Sequence, residues 1–186
     1  MILIKPYNRS NAVEYARRWA LSRNPLFANF QGIGGDCTSF VSQCLFAGSC
    51  TMNYTRDFGW YYISINDRAA AWSGVEYLYA YLTRGEQAPQ LESNVGPFAT
   101  EVSRSDVMAG DVVQLSDSRG DYYHTVIVSD VRDGNILVCA HSSDARDRAL
   151  SSYRNAGERF LHIVGVRIEY PDDVCFEPLL NGVMLQ

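Results

Sequence analysis

Cys37 has the surroundings of a reactive thiol. It follows Gly34, Gly35 and Asp36, and the apolar spacing that begins at Phe40 predicts a helix starting at this cysteine. The thiolate is the nucleophilic form of cysteine, and a helix N-terminus favours it. The unpaired N–H groups of a first helical turn can also hold a developing oxyanion. The pattern predicts a cysteine nucleophile, although a buried structural cysteine fits the position alone at least as well.

Two histidines stand at strand ends, where a base for this thiol would be expected. His124 begins one apolar strand and His141 ends the next, and Asp133-Gly134 between them is a hairpin signal. A two-residue turn pairs residue 126 with His141, which puts both imidazoles on one face of the sheet. A three-residue turn would put them on opposite faces. A neutral imidazole within hydrogen-bond reach is the usual base for a cysteine nucleophile.

We therefore predict that His124 is the general base and that His141 orients its ring. Asp144 is the fallback for the orienting role, and an ordinary polar residue at a strand end is the alternative for His141. His162 lies between apolar neighbours and is interpreted as structural.

Neither a metal nor a cofactor is predicted. The three histidines show no HExxH spacing, the five cysteines no CxxC pair, and the acids Asp111, Asp117 and Asp121 no EF-hand spacing. An odd number of cysteines leaves at least one thiol free, and a full disulfide framework is not expected. We expect Cys44, Cys139 and Cys175 to be buried small hydrophobes, whereas Cys50 lies near a loop and fits either state.

Length and charge restrict the possible partners. The chain has 186 residues and a net charge of −5, which predicts a single domain, residues 1–186, and no nucleic-acid partner. The arginines at 146, 148, 154 and 159 are interpreted as a solvated surface. No signal peptide and no membrane span is expected, so the chain is predicted to be cytoplasmic or exported by another route. The sequence does not indicate an oligomeric state.

The elements that would hold these residues change type along the chain. Helices are predicted over residues 10–23, over 37–47 with Asp36 as N-cap and Gly48 as the end, and over 74–83 with Gly85 as the end. Strands are predicted over 112–115, 124–131, 136–141 and 160–169, with irregular segments at 49–72 and 86–106. Helices followed by strands indicate an α+β fold.

At these motifs the sequence resembles a known family. The string GGDCTSFVSQCL at residues 34–45, with GDVV at 110–113, HTVIV at 124–128 and AH at 140–141, is similar to the bacterial "putative amidase domain" family. That family is related to the NlpC-type and CHAP-type cell-wall peptidases. The resemblance extends from about residue 7 to 168. The chain departs from the family pattern at Ser39, where the family commonly has Asn, and at Gly48-Ser49, where it has Gly-Gly.

The resemblance implies a compact papain-like fold, in which the Cys37 helix packs on an antiparallel sheet. It implies a Cys37, His124 and His141 triad that cleaves amide bonds, with a peptide or peptidoglycan fragment as substrate. Gln31 or Asn29 would assist the oxyanion, although ordinary loop residues fit both positions. The aromatic residues Trp60, Tyr61 and Trp72 would line a substrate groove, although the hydrophobic core explains them better.

Two alternatives remain open. One is a papain-like acyltransferase or deamidase that acts on proteins or lipids with the same residues. The other is a non-catalytic binding module of the same fold.

Overall fold

The C-terminal half of the chain forms one antiparallel sheet. The computed structural model describes residues 2–84, 95–170 and 174–184. The order of strands is β1-β9-β5-β6-β7-β8, and β4 pairs with β9 as well. Their bounds are β1 Leu3–Lys5, β4 Gly96–Val102, β5 Val112–Ser116, β6 Tyr122–Arg132, β7 Asn135–Ala140, β8 Ala145–Ala149 and β9 Gly157–Ile168. A separate small hairpin consists of β2 Tyr62–Ser64 and β3 Asp67–Arg68.

The helices lie mainly in the N-terminal half. They are α1 Arg9–Trp19, α2 Cys37–Ser49, α3 Ala70–Ser73, α4 Val75–Thr83 and α5 Phe176–Asn181. None of the described helices combines the length and apolarity that crossing a bilayer requires. The structure is α+β, as the order of predicted elements indicated, and the narrower papain-like arrangement stays a prediction.

The two faces of the sheet carry different cores. The helix-side face packs against α1 and α2 through Val112, Ile127, Cys139 and Leu161. The opposite face carries a second cluster that includes Val113, Leu115, Val126, Val128, Val138 and Phe160. Successive residues of a strand alternate between these faces, so the face of each polar side chain follows from its apolar neighbours.

Several predicted boundaries differ from the structure. Helix α1 ends at Trp19, and this frees Arg23 to pair with other segments. Helix α2 continues past Gly48 and ends at Ser49, with Cys50 as a left-handed C-cap at φ 49°. Strand β4 occupies part of the stretch 86–106 that was predicted as a loop, because its pairing partner β9 lies about sixty residues further along the chain. The predicted helix end at Gly85 lies outside the described residues.

A disulfide joins the end of α2 to the start of α5. Cys50 and Cys175 are bonded with their Cα atoms 5.5 Å apart, whereas Cys37, Cys44 and Cys139 are free and buried. The prediction of Cys175 as an unbonded small hydrophobe is therefore wrong. Spacing could not reveal the pair, because 125 residues separate the two cysteines.

Gly48 is expected to resist replacement although it lies inside a helix. Alanine normally stabilises such a position by about 1 kcal/mol, but a Cβ here would lie 2.3 Å from the Tyr7 ring and 2.8 Å from the Asn8 carbonyl. Gly48→Ala should therefore lower the free energy of unfolding by about 1–3 kcal/mol, measured by urea denaturation. Ser49→Ala, one residue away in the same helix, is the matched control and should change it by less than about 1 kcal/mol. A stabilised Gly48→Ala protein would contradict this packing.

The disulfide is expected to contribute measurably to stability. Removing a native disulfide typically costs about 2–5 kcal/mol, and long closed loops lie toward the upper end. The double variant Cys50→Ser/Cys175→Ser should unfold at lower urea than the wild type under oxidising conditions. With a reducing agent present, the wild type should move to the midpoint of the variant. If the reductant does not change the wild-type midpoint and mass spectrometry finds Cys50 and Cys175 as free thiols, the bond does not form.

Candidate active site

Cys37 opens α2 at the end of a glycine turn. Gly34 and Gly35 have φ values of 105° and 98°, a backbone region that side chains with a Cβ rarely adopt. This turn brings the chain into the helix, and Cys37 is 6% exposed. Within the described part of the chain, its Sγ makes one hydrogen-bonding contact, with Thr38 Oγ1 at 3.8 Å.

The N-terminus of α2 has no side-chain cap. Asp36 occupies the N-cap position, but its carboxylate makes no capping hydrogen bond to the helix. The first-turn N–H groups therefore remain available to an anionic group on Cys37 or on a ligand. Because α2 is buried along its full length, the partial positive charge of its N-terminus acts in a low-dielectric environment.

The Asp36 carboxylate is instead turned toward the side chains of His141 and Arg23. Its Oδ2 lies 2.7 Å from His141 Nδ1 and 2.8 Å from Arg23 Nε. Its Oδ1 accepts a hydrogen bond from the Phe30 N–H at 3.1 Å. The Asp36 N–H donates to Ser142 Oγ at 2.8 Å. Asp36, the residue before Cys37, thus links the start of α2 to the end of β7 and to the segment after α1.

His141 is enclosed on every side. It is 1% exposed, and its ring stacks on Phe40 with the centroids 3.9 Å apart. Its Nε2 lies 2.9 Å from the Trp19 carbonyl oxygen, while Nδ1 faces Asp36. A neutral imidazole carries one N–H and can donate it to only one of these two acceptors.

A one-residue bulge separates the faces of the two histidines. The Asp133-Gly134 turn forms as predicted, and Val131 pairs with Ile136. The pairing then shifts between Val128 and Asp130, so that Ile127 pairs with Cys139 instead of residue 140. Ser129 is the extra residue of this bulge. Every β6 residue before Ser129 therefore lies on the opposite face from the one predicted by a regular two-residue hairpin.

His124 consequently lies on the face away from Cys37. Its neighbour Thr125 contacts Thr38 of α2, whereas the His124 ring lies 5.8 Å from the Tyr153 ring in the cluster on the other face. The prediction that His124 and His141 share a face is wrong, and the structure does not bring His124 to Cys37. Burial, with a smaller contribution from Arg148, lowers the pKa of His124 to about 4.

A row of polar side chains crosses the helix-side face at the level of Cys37. Thr125, Gln114 and Arg159 lie directly opposite one another on β6, β5 and β9, and we call them the polar row. Thr38 Oγ1 lies 3.0 Å from Thr125 Oγ1, which receives a hydrogen bond from Gln114 Nε2 at 3.3 Å. Arg159 Nε donates to Gln114 Oε1 at 2.7 Å. The row therefore begins beside the residue that follows Cys37.

The sequence interpretation missed this row, although part of its signal was present. Gln114 and Thr125 each lie two residues from a core position, Val112 and Ile127, so they interrupt the apolar face of two otherwise apolar strands. Arg159 was expected in a solvated surface, but it is only 7% exposed. Asp36 was interpreted only as a helix cap.

The other predicted site residues lie away from the thiol. Gln31 and Asn29 are exposed; Asn29 Oδ1 accepts the Gln31 N–H, and Gln31 Oε1 accepts from Arg23. No described contact joins either of them to Cys37. Asp144 holds the two terminal nitrogens of Arg23 at 2.8 and 2.9 Å, so it supports Asp36 indirectly and orients no imidazole.

The predicted aromatic groove is largely core. Trp60 and Trp72 are fully buried and pack on each other with ring centroids 5.1 Å apart, so they line no open groove. Tyr61 is half-buried, and its hydroxyl donates to Asp67.

His162, interpreted as structural among apolar neighbours, lies with its ring against charged side chains. It and Arg9 both contact the buried Asp111 carboxylate, at 2.9 and 2.6 Å. Across residues 2–84, 95–170 and 174–184, no cluster of three or more potential metal ligands is present.

His124 is expected to destabilise the folded protein in mild acid. The unfolded imidazole binds its proton near pH 6.5, whereas the folded one does so only near pH 4. The neutral ring therefore contributes fully above pH 6.5, and this contribution is lost as the pH falls toward 4, by about 3 kcal/mol in total. Urea unfolding of wild type and His124→Gln at about pH 7 and about pH 4 should show the wild type losing stability relative to the variant. A constant difference between the two proteins would contradict the buried, neutral imidazole.

Comparison with known proteins identifies the family. Residues 6–164 match the family described as "Putative amidase domain". A protein of Bacillus subtilis (strain 168), described as "Uncharacterized protein YhbB", is 34% identical over 148 residues, which cover 76% of this chain and 43% of that protein. The chain thus spans less than half the length of this relative. No solved structure matches the chain. The chain belongs to the "Putative amidase domain" family, and this membership indicates, at a coarse level, the hydrolysis of amide bonds.

Proposed function

We propose that the chain is a cysteine-dependent amide hydrolase in which Cys37 is the nucleophile, with peptides of peptidoglycan as substrates. The proposal is carried by one observation: a free thiol lies at the N-terminus of a buried helix that has no side-chain cap, directly after a buried carboxylate that contacts Arg23 and His141. The family supplies the class of bond. Peptidoglycan and the papain-like arrangement come from the resemblance of the cysteine and histidine motifs and are part of the proposal.

The proposed reaction follows from the position of the thiol. The Cys37 thiolate attacks the carbonyl carbon of the amide, and the N–H groups of the first turn of α2 stabilise the oxyanion. The tetrahedral intermediate collapses to a thioester as the leaving amine takes up a proton. Water then hydrolyses the thioester and regenerates the thiol. This sequence requires no cofactor.

Of the two candidate bases, His141 requires the smaller rearrangement. Its ring lies on the Cys37 side of the sheet, and turning it toward Sγ breaks its contacts with the Trp19 carbonyl and the Asp36 carboxylate and its stacking on Phe40, at a cost of about 1–3 kcal/mol for each buried group left unpaired. His124 could face Cys37 only if the first half of β6 exchanged its two faces, which would take Val126 out of its core cluster and put the polar Thr125 in its place. The proposal therefore assigns the proton transfer to His141 and removes His124 from the reaction.

A non-catalytic binding module is the second candidate. It is favoured by one observation, namely that neither imidazole is within hydrogen-bond reach of Cys37 Sγ as the described side chains lie. In that case Cys37 would behave as an ordinary buried thiol.

Thiol reactivity distinguishes the two candidates. Burial raises the pKa of the Cys44 and Cys139 thiols, so both should stay unmodified in the folded protein. Iodoacetamide at neutral pH should label Cys37 alone, about ten times faster than free cysteine. Intact-mass and peptide mass spectrometry locate the label, and Cys37→Ala should give none. Labelling no faster than free cysteine would favour the binding module.

The same measurement tests the choice between the histidines. His141→Asn should slow the alkylation of Cys37 by about tenfold or more, whereas His124→Gln, the matched control on the other face, should leave it unchanged. Thermal melts verify that both variants are folded. An effect of His124→Gln equal to that of His141→Asn would overturn the assignment.

The substrate requires a separate test. Purified peptidoglycan incubated with the protein should release peptide fragments that mass spectrometry detects, and Cys37→Ala should release none. If several wall types give no fragment while Cys37 remains reactive, peptidoglycan is the wrong substrate and protein amides are tested next.

A further inference from the structure

Helix α5 is attached to both α1 and α2. The Cys50–Cys175 disulfide joins the N-cap of α5 to the C-cap of α2. Trp19, the last residue of α1, donates its indole N–H to the Leu180 carbonyl of α5 at 3.1 Å. A helix of six residues is too short to be stable by itself. The disulfide and the tertiary contacts therefore keep α5 folded and in place.

Trp19 connects α5 to His141. Its indole is held by α5, whereas its backbone carbonyl lies 2.9 Å from His141 Nε2. The same carbonyl also accepts the Ser22 N–H at 3.2 Å, so it stays paired when the imidazole leaves. Asn24, which is 2% exposed, donates to the Leu179 carbonyl of α5 at 2.9 Å. Helix α5 thus fixes the segment 19–24 at both of its ends.

The second contact between this segment and the site has support of its own. Arg23 binds the Asp36 carboxylate, and Asp144 holds its two terminal nitrogens at 2.8 and 2.9 Å. Asp144 lies between β7 and β8, away from the contacts of α5 with Trp19 and Asn24. Displacing α5 would therefore loosen Trp19, while Arg23 would stay attached to the sheet through Asp144.

We propose that the Cys50–Cys175 disulfide is a redox switch that controls His141. In the oxidised protein α5 holds Trp19, and the Trp19 carbonyl helps to keep the imidazole out of hydrogen-bond reach of Cys37. Reduction by a dithiol releases α5 by local opening and removes this restraint on the imidazole. The inference rests on the proposed function, since it takes His141 as the base. It adds a regulation to that function, in which the reduced protein is the more reactive form.

The dithiol opens the disulfide from the Cys50 side. Cys50 is partly exposed and lines a cleft of about 270 Å³, whereas Cys175 is 4% exposed. A thiolate of the reductant attacks Cys50 Sγ, the S–S bond breaks, and Cys175 leaves as a thiolate that takes up a proton. The second thiol of the reductant then displaces Cys50 from the mixed disulfide. Two electrons pass to the two cysteines, and the dithiol becomes a cyclic disulfide.

Tryptophan fluorescence measures the release of α5. Reduction should expose the Trp19 indole, so the emission maximum should move to longer wavelength. Trp19→Phe should abolish this shift, because the other two tryptophans, Trp60 and Trp72, are fully buried. Cys50→Ser/Cys175→Ser should show the shifted spectrum with or without the dithiol. An emission maximum that reduction leaves unchanged would overturn the inference.

The alkylation rate of Cys37 measures the effect on the site. The double serine variant is suited to this test, because it has no thiol at positions 50 and 175 that could react. Iodoacetamide should label its Cys37 about three- to tenfold faster than that of the oxidised wild type, the factor that one hydrogen bond contributes. Adding His141→Asn to the variant should remove the gain. Adding His124→Gln, the matched control on the other face, should preserve it.

Two buried thiols distinguish a local release from a general loosening of the fold. Cys44 and Cys139 are free and buried, and both should stay unlabelled in the reduced wild type and in the double serine variant. If they are labelled together with Cys37, the disulfide has only a structural role and the inference is overturned. The same conclusion follows if thermal melts show that both the reduced wild type and the variant are unfolded.

The outcomes also separate the inference from the proposed function. If Cys37 is labelled equally fast or more slowly without the disulfide, the switch is overturned, while fast labelling in both states still supports a reactive Cys37. Labelling no faster than that of free cysteine in both states would overturn the proposed function instead.

Discussion

The buried Asp36 carboxylate is the contact on which the arrangement of the candidate site depends. An unpaired carboxylate in this environment would cost several kcal/mol, and removing one partner of a buried pair is strongly destabilising. Asp36 avoids that cost through Arg23, His141 and the Phe30 N–H. Arg23 and Phe30 precede Asp36 on the segment between α1 and α2, whereas His141 lies 105 residues further along the chain. They therefore fix the start of α2, and with it the position of Cys37, relative to the end of β7.

The site lies where the apolar core gives way to polar side chains on the same face of the sheet. Ile127, Val112 and Leu161 form one row across β6, β5 and β9, and all three are fully buried. Two residues away on each strand, the next row is Thr125, Gln114 and Arg159. Two rows with the same backbone pairing thus differ in chemistry, since the first is apolar and the second is a chain of mutually hydrogen-bonded polar side chains beside the Cys37 helix. Because backbone pairing fixes the spacing of both rows, the polar groups are positioned as rigidly as the core.

The sequence predicts the elements whose apolar spacing and turn residues match the burial pattern of the folded chain. The α2 helix, the apolar strands and the Asp133-Gly134 turn follow from spacing and turn chemistry, and Cys37 follows from its place after two glycines. Strand β4 could not be predicted in this way, because its stabilising partner is remote in the chain. The burial of Arg159 was also hidden, since it depends on two tyrosines that only the fold brings together. Charged residues are normally exposed. Arg159 is an exception because the two tyrosines cover its guanidinium.

The bulge at Ser129 has a larger chemical effect than most substitutions would have. It leaves every residue type in place and exchanges the faces of the first half of β6, so it decides which imidazole shares a face with the thiol. A motif comparison identifies the residues of a family but not the face on which each side chain lies, and so it cannot detect such an exchange.

The electrostatics of His124 support the same assignment independently of the geometry. An imidazole with a pKa of about 4 is neutral at pH 7. It nevertheless binds a proton about 300-fold more weakly than an ordinary histidine, and a base is most effective when its pKa lies near the working pH. Burial beside Arg148 thus makes His124 a poor proton acceptor even if it could approach Cys37. His141, by contrast, lies on the Cys37 side of the sheet, with its Nδ1 against the Asp36 carboxylate and its Nε2 against the Trp19 carbonyl oxygen.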